Sequence, residues 1–506
     1  MASLDNPEIP ERECVTPPQE ESPHDDPELE SDDEDEEDPL QRFAAVLAAL
    51  NLDALPRLAV EARQKLHPGT QYENPTVGDP MSGSYHILYP LEFADGIRWL
   101  VKTPVNGVEG KWDELSAASL TSEANTMRLL KRETTVPVPE VFEFSATTNN
   151  KLNCPYIFMS SISGRPLQEV WHARNSGVTD PDILHAHRVR ALEGIALAMV
   201  QLGKYNFGQG GCPLYDSKGN ISGIGSMRST DCQAELDRLF VDGDPCDDPI
   251  YVEKPVSLDT KEFYTFFMEL HPSTHLVPRG LDILLRQLID WLPKVPGPNP
   301  FVLAHPDFDI QNVLVSDDGQ LQGIIDWDGV AAVPRSTGNE CYPSWLTRDW
   351  DPMSYHYQEP TEDDEEPPIN TEDSPENLKK YRQVYRECFK KAQEQGEGWL
   401  SSLWRRWSNI LSSCVMSRNT GRLAGNDDIT RQSLIADNLA IAAADVTCRA
   451  AILSTVVQKA SAAMDLDEDD ELSLLDLAEG LAEDELEESL LETLKCGFEK
   501  LLQMPL

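Results

Sequence analysis

From Phe301 to Asp328 the chain reads "FVLAHPDFDIQNVLVSDDGQLQGIIDWD". The pattern is strand, polar loop, strand, Asp-Gly turn, strand. It lies in a half of the chain otherwise patterned for helices. "ILHAHRVRALEGIALAMVQLGKYNF" puts Leu192, Ile195, Met199 and Leu202 on one face, and "KEFYTFFMELH" and "LDILLRQLIDWL" repeat that spacing. Residues 375–417 and 429–463 read as helical too. The fold must therefore seat a small strand system inside a mainly helical body. Its loop, "HPDFDIQN", holds Asp307 and Asn312 five positions apart. Such residues can do no more than satisfy backbone N–H groups in a turn. They can also be a base and a metal ligand, and the rest of the chain bears on that choice.

The N-terminal half has another texture. "LQRFAAVLAALNLDALPRLAVEARQKL" (40–66) predicts two short helices broken near Asn51–Asp53. "SYHILYPLEFADGIRWLVKTP" alternates around an Ala-Asp-Gly turn, a hairpin signal, and follows the Gly- and Ser-rich turn "VGDPMSGSY". A helix is predicted around 114–132, followed by strand-like runs "VPEVFEFSA" and "CPYIFMSSI". The class expected is α+β, with a small β-rich lobe over 72–160 and a helical body over 161–463.

Charge divides the chain differently. The net charge is −46, yet residues 1–40 hold 17 acidic residues against 1 basic, and 464–506 hold 15 against 2. Residues 1–38 lack an apolar face and are expected to be a disordered acidic tail. A chain trimmed to 39–463 is expected to fold, although the leucines of 472–503 leave a docked helix open. Acidity of this strength repels phosphate backbones and anionic lipid, so neither nucleic acid nor a membrane is an expected partner. A basic protein partner for the acidic ends is compatible with it, as is plain solvation.

The ten cysteines are scattered with no C-x-x-C pair, so no zinc site or compact disulfide framework is expected. Reduced thiols in a soluble, cytoplasmic chain are the simplest account. The first residues lack the order of a signal peptide. The most apolar long stretch, "LIADNLAIAAADVTCRAAILSTVV" (434–457), carries Asp437, Asp445 and Arg449. It reads as one buried helix rather than a membrane span.

In chain order the chemistry-bearing residues are the Gly83-Ser84 turn, Lys102 late in a strand, and Glu123 on the inward face of the next helix. His305-Pro306-Asp307, Asn312 and Asp326 follow. That order matches the parts needed for phosphoryl transfer, where catalysis is mainly positioning and charge neutralisation. A lysine held by a buried glutamate offers fixed positive charge to phosphates. An aspartate orients an acceptor hydroxyl and takes its proton. An amide oxygen and a carboxylate suit Mg²⁺, which prefers hard oxygen ligands.

"HPDFDIQN" followed by "IIDWDG" resembles the H-x-D-x-x-x-x-N and I-D-W-[DE] signatures of the aminoglycoside phosphotransferase family, in particular its fungal-type branch related to choline kinase. The resemblance runs from about 72 to 350, with "PYIFMSSISGRPL" similar to the interlobe hinge. It implies a two-lobed, protein-kinase-like fold with an ATP site and a small-molecule hydroxyl acceptor. It makes Asp307 the catalytic base, Asn312 and Asp326 the Mg²⁺ ligands, and Lys102 with Glu123 the phosphate-anchoring pair. Gly83 and Ser84 would cover the nucleotide. Met159 would line the adenine pocket, and the backbones of Ser160 and Ile162 would hydrogen-bond the base. Pro306 and Asp309 depart from the family's common residues without altering the key spacing. His305 reads as a loop-fixing hydrogen-bonder. Asp328 reads as a supporting or substrate-facing carboxylate, or a solvated one. Two other readings stay open: a protein kinase, disfavoured by "DWDG" and the lack of an A-P-E element, and a non-catalytic interaction protein on the same fold.

Overall fold

The computed structural model describes residues 40–504 apart from 245, 247, 296, 354, 360–370, 409–430 and 465–471. The expected acidic tail over 1–38 lies outside the described residues.

Two short helices, α1 (Ala44–Ala49) and α2 (Leu55–Leu66), precede the first sheet. The Asn51 N–H in the break between them donates to the Leu152 carbonyl, tying the pair to the small lobe. The strands are β1 (Thr76–Val77), β2 (Met81–Ser82), β3 (His86–Glu92), β4 (Arg98–Pro104), β5 (Val141–Ser145) and β6 (Tyr156–Ser160), with helix α3 (Glu114–Glu133) between β4 and β5. The order is β1-β3-β4-β6-β5, antiparallel throughout, with β2 on β3. The β3–β4 turn needs Gly96 at φ +80°. Register places Lys102 opposite Leu88, on one face of the hairpin. Asp113 caps α3 by accepting from the Ser116 N–H. The inward face of α3, with Met127 and Leu130, packs with Val141, Ile157 and Met159 in the shared core.

The chain then enters the larger lobe through β7 (Arg165–Pro166), α4 (Leu167–Trp171), α5 (Ala173–Ser176) and the long α6 (Pro181–Leu202), capped by Asp180. Here the sequence reading needs correction. Five strands stand between 206 and 254, where a mostly helical stretch was expected. They are β8 (Asn206–Phe207), β9 (Cys212–Tyr215), β10 (Ile221–Gly225), β11 (Met227–Thr230) and β12 (Tyr251–Lys254), with helix α7 (Cys232–Phe240) between the last two. The β9–β10 turn is local chemistry. The Asp216 carboxylate accepts from the Lys218 and Asn220 N–H groups, and Gly219 takes φ +73°.

Helices α8 (Thr260–Leu270) and α9 (Leu276–Trp291) lead to β13 (Phe301–Ala304), β14 (Val313–Val315), β15 (Leu321–Ile324) and β16 (Ala331–Pro334). These form two small sheets, β16-β13-β8 and β15-β14-β7. The loop 305–312 thus leaves one sheet and enters the other, which fixes both of its ends.

The helical remainder is α10 (Pro375–Ser408), α11 (Arg431–Ala444), α12 (Val446–Ala462), α13 (Leu474–Glu483) and α14 (Glu488–Gln503). The expected single helix over 434–457 is two. Asp445 breaks it by capping α12, accepting from the Thr447 N–H. The docked helix left open over 472–503 is present, as the pair α13 and α14. Leu477, Leu494, Phe498, Leu501 and Leu502 are buried in the common core. Gly280 of α9 lies against the backbone of Ala478 in α13, and Gly497 of α14 against that of Ala460 in α12. Among the described residues no single helix is long and apolar enough to cross a membrane.

Candidate active site

Strand β4 and helix α3 deliver the first pair. Lys102 is 5% exposed and Glu123 2% exposed, and Lys102 Nζ donates to Glu123 Oε1 at 2.7 Å. The same ammonium donates to Asp326 Oδ1 at 2.7 Å, joining the small lobe to the segment after β15. Burial alone would lower the lysine's pKa. The carboxylates of Glu123 and Asp326 overcome it and hold the ammonium well above the ordinary lysine range. Asp326 is correspondingly held below the usual carboxylate range: burial raises its pKa, but Lys102 and neighbouring groups more than offset it. Its backbone sits at φ +61°, a left-handed conformation that a residue with a Cβ rarely takes.

The loop "HPDFDIQN" is braced from inside. His305 Nε2 donates to the Ile325 carbonyl at 2.8 Å, and its Nδ1 accepts from the Asp307 N–H at 3.2 Å. Burial lowers its pKa to about 4, so the ring is the neutral tautomer these bonds require. Its other support is Trp327, fully buried, edge to face at 4.7 Å. His305 is therefore the loop-fixing group its sequence suggested.

Asp307 is exposed, and its Oδ2 accepts from Asn312 Nδ2 at 2.8 Å. The Asn312 amide also donates to the Asp307 carbonyl at 2.9 Å. Turning this amide over would set its oxygen against two acceptors, so Nδ2 is the atom that meets the Asp307 groups. Desolvation of its carboxyl by the surrounding loop, then the Asp309 carboxylate, raise the Asp307 pKa although the residue as a whole is exposed. Asp309 itself caps the turn at Ile310 and pairs with Arg348 at 2.8 Å. It is a neutralised neighbour rather than a second free carboxylate.

The nucleotide-side residues fall around this centre unevenly. Gly83 and Ser84 form the exposed turn between β2 and β3, and the Gly83 N–H donates to the His86 carbonyl at 2.9 Å. A Cβ on Gly83 would meet only that carbonyl, at 3.8 Å, so its backbone does not demand glycine. Met159 is buried in β6 between Leu100 and Val141. The Ser160 N–H is already spent on the Glu140 carbonyl at 2.9 Å, leaving only its carbonyl to meet a base. Ile162 packs on Gly323 of β15, where a Cβ would lie 2.8 Å from its Cδ1.

Sequence reasoning missed what holds Asp328. Its carboxylate accepts from Arg228 at 2.7 Å and Ser119 Oγ at 3.1 Å, with His86 Nε2 at 3.5 Å. It is no solvated aspartate. Ser119 stands one helical turn before Glu123, a spacing that could have revealed it. Arg228 lies 100 positions from Asp328 in a hairpin the sequence reading did not foresee, and nothing local pointed to it.

The donor set suits a hard divalent cation. Asn312 offers an amide oxygen and Asp326 an ionised carboxylate, beside the buried ammonium of Lys102. The fold these features define is α+β, with a small β-rich lobe and a mainly helical body that each contribute to one polar site. Residues 232–335, which hold Asp307, Asn312 and Asp326, match the model of the phosphotransferase enzyme family (APH).

Individual relatives are distant. A subtelomeric hrmA-associated cluster protein of Aspergillus fumigatus is 22% identical over 324 residues, covering 52% of this chain and 58% of that protein, so this chain spans less than two-thirds of that relative's length. The mitochondrial altered inheritance of mitochondria protein 9 of Candida dubliniensis is 30% identical over 90 residues, 18% of this chain and 14% of that one. Among solved structures, the macrolide 2'-phosphotransferase of Brachybacterium faecium has a TM-score of 0.34 at 15% identity, covering 80% of this chain and 98% of that one. The Plasmodium vivax ethanolamine kinase has a TM-score of 0.35 at 9% identity, covering 85% and 86%.

Proposed function

We propose that this chain is a phosphotransferase that moves the γ-phosphoryl group of ATP, with Mg²⁺, to a hydroxyl group of a small molecule. One observation carries the reading. A single buried ammonium, Lys102, ties Glu123 of α3 to Asp326 after β15, and so assembles the phosphate end of the site from both lobes. A protein retaining the fold only as a scaffold has no need of that pair, nor of the left-handed backbone at Asp326.

Each residue then has a task. Lys102 offers positive charge to the phosphates, held in place by Glu123. Asn312 Oδ1 and the Asp326 carboxylate would hold a divalent cation, whose chemistry when bound would be to neutralise charge on the transferring group. Asp307 accepts the proton of the acceptor hydroxyl as that oxygen bonds to the γ-phosphorus and the β–γ bridging bond breaks. Its raised pKa suits a proton acceptor.

The reading is tested on the full chain by calorimetry and a phosphate-transfer screen against a metabolite library, with Asp307→Asn as the blank. Nucleotide binding should depend on Mg²⁺ and weaken in Asp326→Ala. Asn312→Ala should weaken both metal-dependent binding and turnover. Nucleotide binding indifferent to Mg²⁺ and to Asp326→Ala would overturn the assignment.

A further inference from the structure

Asp326, Trp327 and Asp328 behave as one rigid piece. Trp327 is fully buried and its indole N–H donates to the Ile324 carbonyl. The Ile325 N–H donates to the Asn312 carbonyl at 2.9 Å, and the Val330 N–H to the Trp327 carbonyl at 3.1 Å. A force on Asp328 is therefore felt at Asp326. Three elements grip Asp328: α3 through Ser119, β3 through His86 and β11 through Arg228.

Of the three, only Arg228 brings charge. Burial lowers the His86 pKa to about 4, so that ring is neutral, and Ser119 is a hydroxyl. The Arg228 side chain is 6% exposed, and its guanidinium lies over the Tyr251 ring at 4.2 Å. Arg228 sits in mid-strand, paired with Glu253 across the β11–β12 hairpin. The connection between β11 and β12 reaches the small lobe through the partly exposed Lys111–Asp248 ion pair. His86, Glu123 and Asp328 bring ligand atoms within 4.8 Å of one another. With Lys102 and Arg228 already on the carboxylates, the group is an ion-pair cluster and not a cation site.

We infer that Arg228 is a positioning residue for the metal–nucleotide end of the site. By clamping Asp328 it holds the left-handed turn at Asp326 in register with Lys102 and Asn312. The inference rests on the phosphotransferase reading and names a device outside the catalytic loop that the reading does not require. The β11–β12 hairpin becomes a strut whose displacement would detune the site without touching the substrate.

The test is calorimetry of the full chain with ATP, with and without Mg²⁺, beside a melting curve for each variant. Arg228→Met keeps the stem and removes the charge. It should lose roughly 10–100-fold in Mg²⁺-dependent affinity, the range seen when a group supporting a metal site is removed, while metal-free nucleotide binding is unchanged. Arg228→Lys should restore part of the loss. If Arg228→Met fails to fold, the cause is the uncompensated Asp328 charge, and the pair Arg228→Met with Asp328→Asn removes that cause. The double variant should fold and still lack the Mg²⁺-dependent gain. Full retention of that gain in whichever variant folds would overturn the inference. Absence of the gain in the unaltered protein would instead overturn the phosphotransferase reading itself.

Discussion

At the scale of single residues, Asp307 and Lys254 make opposite demands. Asp307 is exposed, and its carboxylate shares in bracing the loop only by accepting from the Asn312 and Gln311 amides, bonds that an asparagine oxygen can also accept. Asp307→Asn keeps size and hydrogen-bonding capacity but removes the proton acceptor. Turnover should fall about 10²–10⁴-fold with an unchanged melt; unchanged turnover would return the loop to being a turn. Lys254 is 6% exposed, with Nζ 3.6 Å from the centre of the Phe263 ring. Burial lowers its pKa to about 7. Between about 7 and the ordinary lysine value near 10.4 the unfolded chain binds more protons than the folded one, so this group makes stability rise with pH in that window. Lys254→Met should therefore melt higher than the unaltered protein at about pH 6, and the gap should close toward about pH 10. Parallel melting at both pH values would mean the lysine titrates normally.

At the scale of elements, glycine decides how the last helices dock. A Cβ on Gly280 would come 1.8 Å from the Ala478 carbonyl oxygen, a backbone atom that cannot rotate away. Gly280→Val should lower stability by about 1–3 kcal/mol, the usual range for overpacking. Hydrogen exchange should show the loss first in α13, with the β13–β14 loop still protected. Equal loosening of both would mean the α9–α13 contact is not a local hinge of stability. Helices α11 and α12 teach a related lesson. Their shared apolar run looks continuous, yet Asp445 ends one helix and caps the next because its carboxylate competes for the Thr447 N–H.

At the scale of the whole molecule, the acidic C-terminal end is not the loose appendage its charge suggests. Deleting 472–504 would uncover Leu477, Phe498 and their neighbours, which share the core with α9 and α12. That deletion should abolish the cooperative melt or cause aggregation; an unchanged melt would mean α13 and α14 contribute nothing to the fold. Charge counts report on solubility, whereas docking depends on where the leucines fall. The same division runs through the whole protein. Local pattern by itself determined the β3–β4 hairpin, the face of α3 that carries Glu123, and the loop with Asp307 and Asn312. Turn residues and apolar periodicity act over a few positions and need no partner to be read. The order and spacing of the polar residues were enough to single out Lys102 and Asp326 as candidates. The fold alone decided what surrounds them: the strut from Arg228 to Asp328, the neutralisation of Asp309 by Arg348, and the Ser160 N–H already spent on Glu140. These depend on segments from 20 to 100 residues apart meeting in space. Ion pairs across such separations leave no periodic trace in a chain, because either partner could stand alone on a solvated surface until packing brings the other to it.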